Sequence, residues 1–137
     1  MSNLKKKFGT NPAAEISGVW VSFAAGIRLR IARYNNGNHV IKLAALRKPH
    51  WKQLQRQDVE ALTLEAELRT RAIAETVLLD WEGITEDDGT PIAYSKEKAF
   101  EFLNDPALHD FREFVFTEAM DQAKYRDEAI EDAAKNS

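Results

Sequence analysis

The chain has 137 residues, of which 44% are hydrophobic and 30% are charged, and it contains no cysteine. This length fits one domain and is sufficient to bury a core without disulfides or metals. The lack of cysteine excludes disulfide bonds, thiolate catalysis and cysteine-ligated zinc. No apolar run approaches the roughly 18 residues that a membrane span requires, and no apolar signal-peptide segment follows Lys5-Lys6-Lys7. A cytoplasmic protein is therefore expected.

The net charge of -3 conceals an unequal distribution along the chain. Residues 1–56 contain eleven Lys and Arg and one acid, which gives +10, whereas residues 57–137 contain eight Lys and Arg and twenty-one acids, which gives -13. Such an asymmetry can indicate that the basic half binds nucleic acid. We favour the alternative, in which the two halves attract each other within one chain or between copies, because the acids are available in the same molecule.

The N-terminal part predicts an arm followed by a β-hairpin. Residues 1–15 are polar and lack hydrophobic periodicity, which predicts a flexible arm. In residues 16–23 and again in residues 27–31, apolar side chains alternate with other residues, as they do in half-buried strands. The segment Ala24-Ala25-Gly26 predicts the turn between these strands, because Gly readily adopts a positive φ. Arginines occupy the outer face of the second strand.

Two helices are predicted next. The first is expected from about residue 39 to residue 48, with Asn38 as its N-cap and Pro49 at its end. The second follows Asp58 as its N-cap, runs from about residue 59 to residue 81 and ends at Gly83. Two adjacent apolar stripes give the second helix a wide buried face, and they consist of Leu62, Ala66, Ile73 and Val77 beside Leu64, Leu68 and Ala72.

The segment from Leu78 to Pro106 predicts a rigid elbow between two helices. It turns sharply at Asp88-Gly89 and continues in extended form. Ser95 caps a short third helix over residues 95–104, and Asp105 with Pro106 begins a fourth. The elbow presents Trp81 and Tyr94, which we expect first to fix the angle between the helices and second to contact a partner.

These elements predict an α+β protein that is mainly α, with an N-terminal β-hairpin followed by about four helices. Residues 16–123 are expected to form a single domain. Residues 124–137 are expected to form a solvated or frayed tail, because little apolar content follows Met120.

No group of residues predicts catalysis or metal binding. The three histidines are far apart in sequence, and the chain contains no phosphate-binding loop, nucleophile elbow or His-Glu-x-x-His motif. Glu86-Asp87-Asp88-Gly89 lacks the alternating ligands and the distant Glu of a calcium loop, so an acidic solvated turn is expected there. The sequence therefore favours a protein that is not an enzyme and has no cofactor or metal.

The fourth predicted helix carries more apolar surface than one buried face can hold. One face of this helix is apolar and is expected to be buried, whereas Phe114 and Phe116 lie outside that face. Large exposed apolar surfaces usually mark contacts with other molecules. The candidate partner-binding residues are therefore the aromatic side chains Trp81, Tyr94, Phe114 and Phe116, and Phe116 is the strongest of these candidates.

An alternative function is a small nucleic-acid-binding regulator that uses the basic N-terminal half. Arg28, Arg30 and Arg33 could contact phosphates, and Trp20 or Tyr34 could add base stacking. The acids farther along the chain would repel a phosphate backbone, and no recognition helix is evident. Nucleic acid is therefore not the expected partner.

Several segments together carry a family resemblance. The predicted hairpin is followed by a helix that ends in Leu46-Arg47-Lys48-Pro49, and the most specific segments are Asp80-Trp81 and Pro91-Ile92-Ala93-Tyr94-Ser95. In their order, over roughly residues 20–123, these pieces resemble the tail assembly chaperones of long, non-contractile-tailed bacteriophages and prophages, the siphophage type.

This resemblance implies a chaperone that binds the tape measure protein, keeps it soluble and helps recruit tail tube subunits. It implies a homo-oligomer in the host bacterial cytoplasm that is not part of the mature virion, with no membrane partner. It also implies a longer form, made by ribosomal frameshifting, through which the tail tube protein would be recruited. Codons GCA-AAA-AAC would encode Ala134-Lys135-Asn136 and contain a slippery run, although other codons encode the same residues. The frameshift hypothesis fails if the nucleotide sequence lacks such a run near this end.

Overall fold

The structure is a computed structural model, and it describes residues 3–127 and 129–130. Its helices and strands are α1 (Leu4–Phe8), α2 (Pro12–Ser17), β1 (Val19–Ala24), β2 (Ile27–Ile31), α3 (Gly37–Arg47), α4 (Trp51–Leu54), α5 (Val59–Thr76), β3 (Leu78–Glu82), α6 (Lys96–Leu103) and α7 (His109–Met120). Short 3-10 turns lie at Lys48–His50, Pro106–Leu108 and Gln122–Tyr125. The predicted class, α+β and mainly α with an N-terminal hairpin followed by helices, is confirmed, and the two short helices α1 and α2 precede the hairpin. Within the described part of the chain, no helix is both long and apolar enough to cross a membrane.

The three strands form one antiparallel sheet with β2 in the centre. Val21 pairs with Leu29, which in turn lies opposite Trp81. Because side chains alternate between the faces of a strand, these three residues share the face that packs on the helices. Arg28 and Glu82 lie on the outer face, where their side chains form an ion pair at 3.3 Å.

The largest difference from the sequence prediction is at β3, which was predicted to be the end of a helix. The helix ends at Thr76, and the chain then pairs with β2. One step along β2, from Arg30 to Ile31, corresponds to two residues of β3, so Leu79 is an extra residue in a β-bulge. The bulge allows Leu78 and Trp81 both to be buried at a spacing of three residues. Buried residues three positions apart also occur on one face of a helix, which explains why a helix was predicted to continue through Trp81.

A single core lies between the sheet and helices α5, α6 and α7. It is built from apolar side chains of β2, β3 and these three helices, and of Val77 between α5 and β3. They are Leu29, Ile31, Ala74, Val77, Leu78, Trp81, Ala99, Leu103, Phe111, Val115 and Ala119. The predicted caps of α5, α6 and the turn before α7 are confirmed, since Asp58, Ser95 and Asp105 each accept a hydrogen bond from a backbone N–H two or three residues ahead.

The segment that follows α7 contacts the N-terminal helical region, whereas the sequence predicted a solvated tail. Short helices α1 and α2 replace the expected arm, and the Asn11 N–H donates to the Tyr125 carbonyl at 2.8 Å. Tyr125 is fully buried and its hydroxyl donates to the Ile31 carbonyl at 3.1 Å. The prediction of a solvated tail is therefore wrong at Tyr125, because its ring completes the packing at this end of the sheet. Residue 128 and residues 131–137 lie outside the described residues.

Helix α3 begins earlier than predicted. Asn36, and not Asn38, is its N-cap, and its side chain accepts a hydrogen bond from the His39 N–H at 3.1 Å. His39 and Leu43 are buried, whereas Val40 is exposed. The 3-10 turn that contains Pro49 ends this helix, in agreement with the prediction.

Candidate partner-binding site

Trp81 and Tyr94 lie together and hold the loop that precedes α6 against β3. The Trp81 Nε1–H donates to the Ile92 carbonyl at 2.8 Å, and the Tyr94 hydroxyl donates to the Leu78 carbonyl at 2.7 Å. The two rings meet edge to face with their centroids 5.0 Å apart. Burial, together with the nearby charge of Asp80, raises the pKa of Tyr94 to about 12.

These contacts join a strand to the loop that precedes α6, and not two helices as the sequence predicted. The indole of Trp81 is only 5% exposed, so it offers little area to a partner. Tyr94 is half-buried, and its hydroxyl is already used within the protein. Their roles as partner-binding residues stay predictions, while their role in packing is evident.

Phe114 and Phe116 point in different directions from α7. Phe114 is half-buried, with its ring centroid 4.9 Å from that of Phe23 at the β1 bulge. Phe116 is 40% exposed and meets the ring of Tyr34 at a centroid distance of 5.2 Å. Phe114 and Phe116 therefore pack against different aromatic rings. Of the four candidate partner-binding residues, Phe116 is the most exposed.

Phe116 lies at one end of a surface groove between α5 and α7, which we call the α5–α7 groove. Two adjacent depressions, of about 310 and 540 Å³, share Thr70 and Arg112 as lining residues. The first also contains Phe116 and Tyr34, and the second extends along α5 as far as Val59. The groove is therefore continuous along most of the length of α5.

Exposed apolar side chains on α5 line this groove. Val59 is 78% exposed and Leu62 is 64% exposed, and Ala66 also lines the groove. The sequence placed Leu62 and Ala66 in a buried stripe, and this placement is wrong because both residues face the groove instead of the core. The structure thus assigns to the surface an apolar stripe whose periodicity alone is typical of a buried helix face.

The charges along the α5–α7 groove are of both signs. Arg69 and Arg112 lie near Glu67 and Glu113. Arg69 also pairs with Glu65 at 3.6 Å. A groove with balanced charge and apolar walls fits an amphipathic segment better than it fits a polyanion.

Several cations of the basic N-terminal half form ion pairs with acids of the C-terminal half. Arg28 lies 3.3 Å from Glu82, and Lys42 lies 3.4 Å from Glu75. The Arg47 Nε–H donates to Glu65 at 3.2 Å. This pairing within one chain agrees with the interpretation of the charge asymmetry that we favoured. Because each carboxylate offsets a neighbouring cation, it also reduces the attraction of this surface for phosphates.

The acidic turn of the elbow is closed by its own hydrogen bonds. The Gly89 N–H donates to the Glu86 carbonyl at 3.0 Å, and the Asp88 carboxylate accepts from the Thr90 N–H at 2.9 Å. The hydrogen bonds with Thr90 lower the pKa of Asp88. Among the described residues, no group of three potential metal-ligating side chains is found. This turn therefore has the hydrogen bonding of an ordinary β-turn, as the sequence predicted.

The fold and this surface define a small α+β protein with an exposed apolar groove. A model of the YdaY prophage protein family matches residues 34–136. Because this match covers more than half of the chain, the chain belongs to the YdaY prophage protein family and is a prophage-encoded protein. Searches of curated proteins and of solved structures found no match. The predicted phage or prophage origin is thereby confirmed.

Proposed function

We propose that this protein is a tail assembly chaperone that binds the tape measure protein, keeps it soluble and helps recruit tail tube subunits. The observation that carries this proposal is the α5–α7 groove, a long surface with exposed apolar side chains on a prophage protein. In this proposal the protein acts in the host bacterial cytoplasm and is not part of the mature virion. Recruitment of the tube protein would use a frameshift-extended form.

The length of the groove supports a helical partner. Its lining residues on α5 extend from Val59 to Ile73, which corresponds to about 21 Å of helix at 1.5 Å per residue. That distance accommodates roughly four turns of a bound helix. Apolar side chains at positions i, i+3, i+4 and i+7 of such a helix would enter a groove of this kind. A tape measure protein, as a long helical molecule, offers many such segments.

The exposure of the groove supports reversible binding. Burial of apolar surface contributes roughly 25 cal/mol per Å², so contacts made by Leu62 and Phe116 would each contribute modestly. Several copies bound along one long partner would gain strength through avidity. Each contact would still be weak enough for the tube protein to displace it, as assembly of a tail tube requires.

Co-expression with the tape measure protein of the same prophage tests this function. The soluble fraction of the tape measure protein and its co-purification with the chaperone are measured. We expect both quantities to rise with the wild-type chain and to fall with Leu62→Asp or Phe116→Asp, because each substitution places a charge in the apolar groove. Circular dichroism and thermal unfolding establish that each variant is folded.

Ile41→Asp is the matched control, since Ile41 is 71% exposed on α3 and lies outside the groove. It should behave as the wild type does. The proposal is wrong if the wild-type chain neither binds nor solubilises the tape measure protein, or if Ile41→Asp is as harmful as the groove variants. It is also wrong if the groove variants dissociate copies of this chain while leaving tape measure binding intact, because the groove would then be a self-association surface.

A further inference from the structure

A second apolar depression, of about 550 Å³, lies at the turn end of the hairpin. Its apolar lining comes from the hairpin, the loop that precedes α6, α6, the 3-10 turn before α7 and α7 itself, and consists of Phe23, Ile27, Ile84, Ile92, Phe102, Ala107, Leu108 and Phe111. Its polar lining consists of Thr85, Glu86, Asp87, His109 and Asp110. We call it the acidic groove, and it shares no lining residue with the α5–α7 groove.

The carboxylates of the acidic groove are available to an external cation. Within residues 3–127 and 129–130, no Lys or Arg forms an ion pair with Glu86, Asp87 or Asp110. An apolar floor beside three such carboxylates fits a short segment with large apolar side chains next to several positive charges.

Helix α1 has this chemistry. Its sequence is Leu4-Lys5-Lys6-Lys7-Phe8, and Leu4 and Phe8 lie four residues apart on one side of the helix. These two side chains are 72% and 59% exposed. Helix α1 therefore combines an uncovered apolar pair with the neighbouring cations Lys5 and Lys6, which complements the acidic groove in both respects.

Helix α1 lies outside the acidic groove of its own chain, since neither Leu4 nor Phe8 lines that groove. Asn11 is held near Ile31 through the Tyr125 contacts, at the end of the hairpin opposite the turn. Strand β1 separates this end from the groove by about 17 Å, at roughly 3.3 Å per residue. The residues between Phe8 and Asn11 are Gly9 and Thr10, and this connection spans at most about 11 Å.

We propose that α1 of one copy docks in the acidic groove of a second copy, with Leu4 and Phe8 on the apolar floor and Lys5 and Lys6 beside the carboxylates. The two complementary surfaces lie at opposite ends of the hairpin, so the contact is head-to-tail. Head-to-tail contacts produce rings when the rotation closes and open chains when it does not. The protein therefore assembles beyond a dimer. This inference is independent of tape measure binding, and its test contains no tape measure protein.

Sedimentation velocity and light scattering of the full chain over a range of concentrations test this assembly. The mass of the wild type should rise above that of two chains at low salt and fall at high salt, because the contact contains paired charges. Leu4→Ser with Phe8→Ser, and separately Asp87→Lys with Asp110→Lys, should each weaken association roughly tenfold or more. The control is Val40→Ser with Ile41→Ser, which removes two exposed apolar side chains of α3 and should retain the wild-type mass.

Mixing the two defective variants provides the sharpest readout. The α1 variant keeps an intact groove and the groove variant keeps an intact α1, so an equimolar mixture should form a dimer and no larger species. The inference is overturned if the wild type stays a monomer at all concentrations, if either variant keeps the wild-type mass, or if the α3 control dissociates as well. A mixture that stays monomeric also overturns it.

Discussion

At the scale of single residues, a network of buried polar groups fixes the start of α3 against the end of α5. The Asn36 amide donates to the Arg33 carbonyl at 2.7 Å and to the Thr76 carbonyl at 3.2 Å. His39 follows on the same helix, is almost fully buried, and lies with its ring centroid 4.7 Å from that of Tyr34. Its Nδ1 has no hydrogen-bond partner among the described residues.

This environment predicts a pH-dependent stability. Burial, followed by the charges of Arg69 and Arg47, lowers the pKa of His39. The unfolded chain therefore binds a proton more readily, so the contribution of His39 to stability is complete above its unfolded pKa of about 6.5 and is lost as the pH falls below it. We expect the free energy of unfolding in urea to decrease between about pH 7.5 and about pH 5.5.

His39→Phe keeps a ring beside Tyr34 but cannot titrate. Its free energy of unfolding should change less over the same pH interval than that of the wild type. Equal pH dependence in the two proteins would show that other groups cause it, and the assignment to His39 would be wrong.

At the scale of elements, the residue that follows β3 approaches the turn between β1 and β2 closely. Gly83 has a φ of +85°, and a Cβ built on it would lie 1.8 Å from the carbonyl oxygen of Gly26. The end of β3 can approach the hairpin turn this closely only because Gly83 has no side chain. This contact also positions Ile27 and Ile84, which line the acidic groove.

Alanine substitutions at two glycines distinguish the loss of stability caused by this close approach from the loss caused by backbone strain. Gly89 has a similar φ of +88°, but no atom lies within 4 Å of the position that a Cβ would take there. Gly89→Ala should therefore cost about 1 kcal/mol of stability from strain alone. Gly83→Ala adds the clash with backbone and should cost about 3 kcal/mol or more. Urea unfolding measures both changes, and equal losses would contradict the close approach.

At the scale of the whole molecule, the segment that follows α7 packs against the N-terminal helices and the sheet. Tyr125 is buried, and burial together with the charge of Glu118 raises the pKa of its hydroxyl. Asn11 reaches the same region, where its side chain donates to Asp127 at 3.0 Å. Residues beyond the predicted domain end at 123 thus take part in packing the N-terminal helices and the sheet.

Truncation tests this closure. A chain that ends after Ala123 lacks Tyr125 and should lose about 3–5 kcal/mol relative to one that ends after Ile130, which is the usual cost of removing a large buried side chain. Thermal and urea unfolding of the two truncated chains provide the measurement. If both chains are equally stable, the burial of Tyr125 contributes little and the domain does end at residue 123.

Part of the binding surface could be predicted from the sequence. The exposure of Phe116 followed from the number of apolar side chains on one helix, which exceeds what a single buried face accommodates. The α5–α7 groove could not be predicted, because the stripe that contains Leu62 and Ala66 has the periodicity of a core face. Whether such a stripe is buried depends on which neighbouring helix covers it, and sequence periodicity does not contain that information.

The sequence by itself determined the features that depend on near neighbours in the chain. The caps at Asp58, Ser95 and Asp105 and the turn at Asp88-Gly89 each join residues at most three positions apart, so local residue types were sufficient to predict them. Tertiary structure alone decided that Leu78–Glu82 is a strand, because its hydrogen-bond partners lie about fifty residues earlier in β2. It also decided that Tyr125 is buried and that an apolar groove stays open between α5 and α7, since both depend on contacts between distant segments.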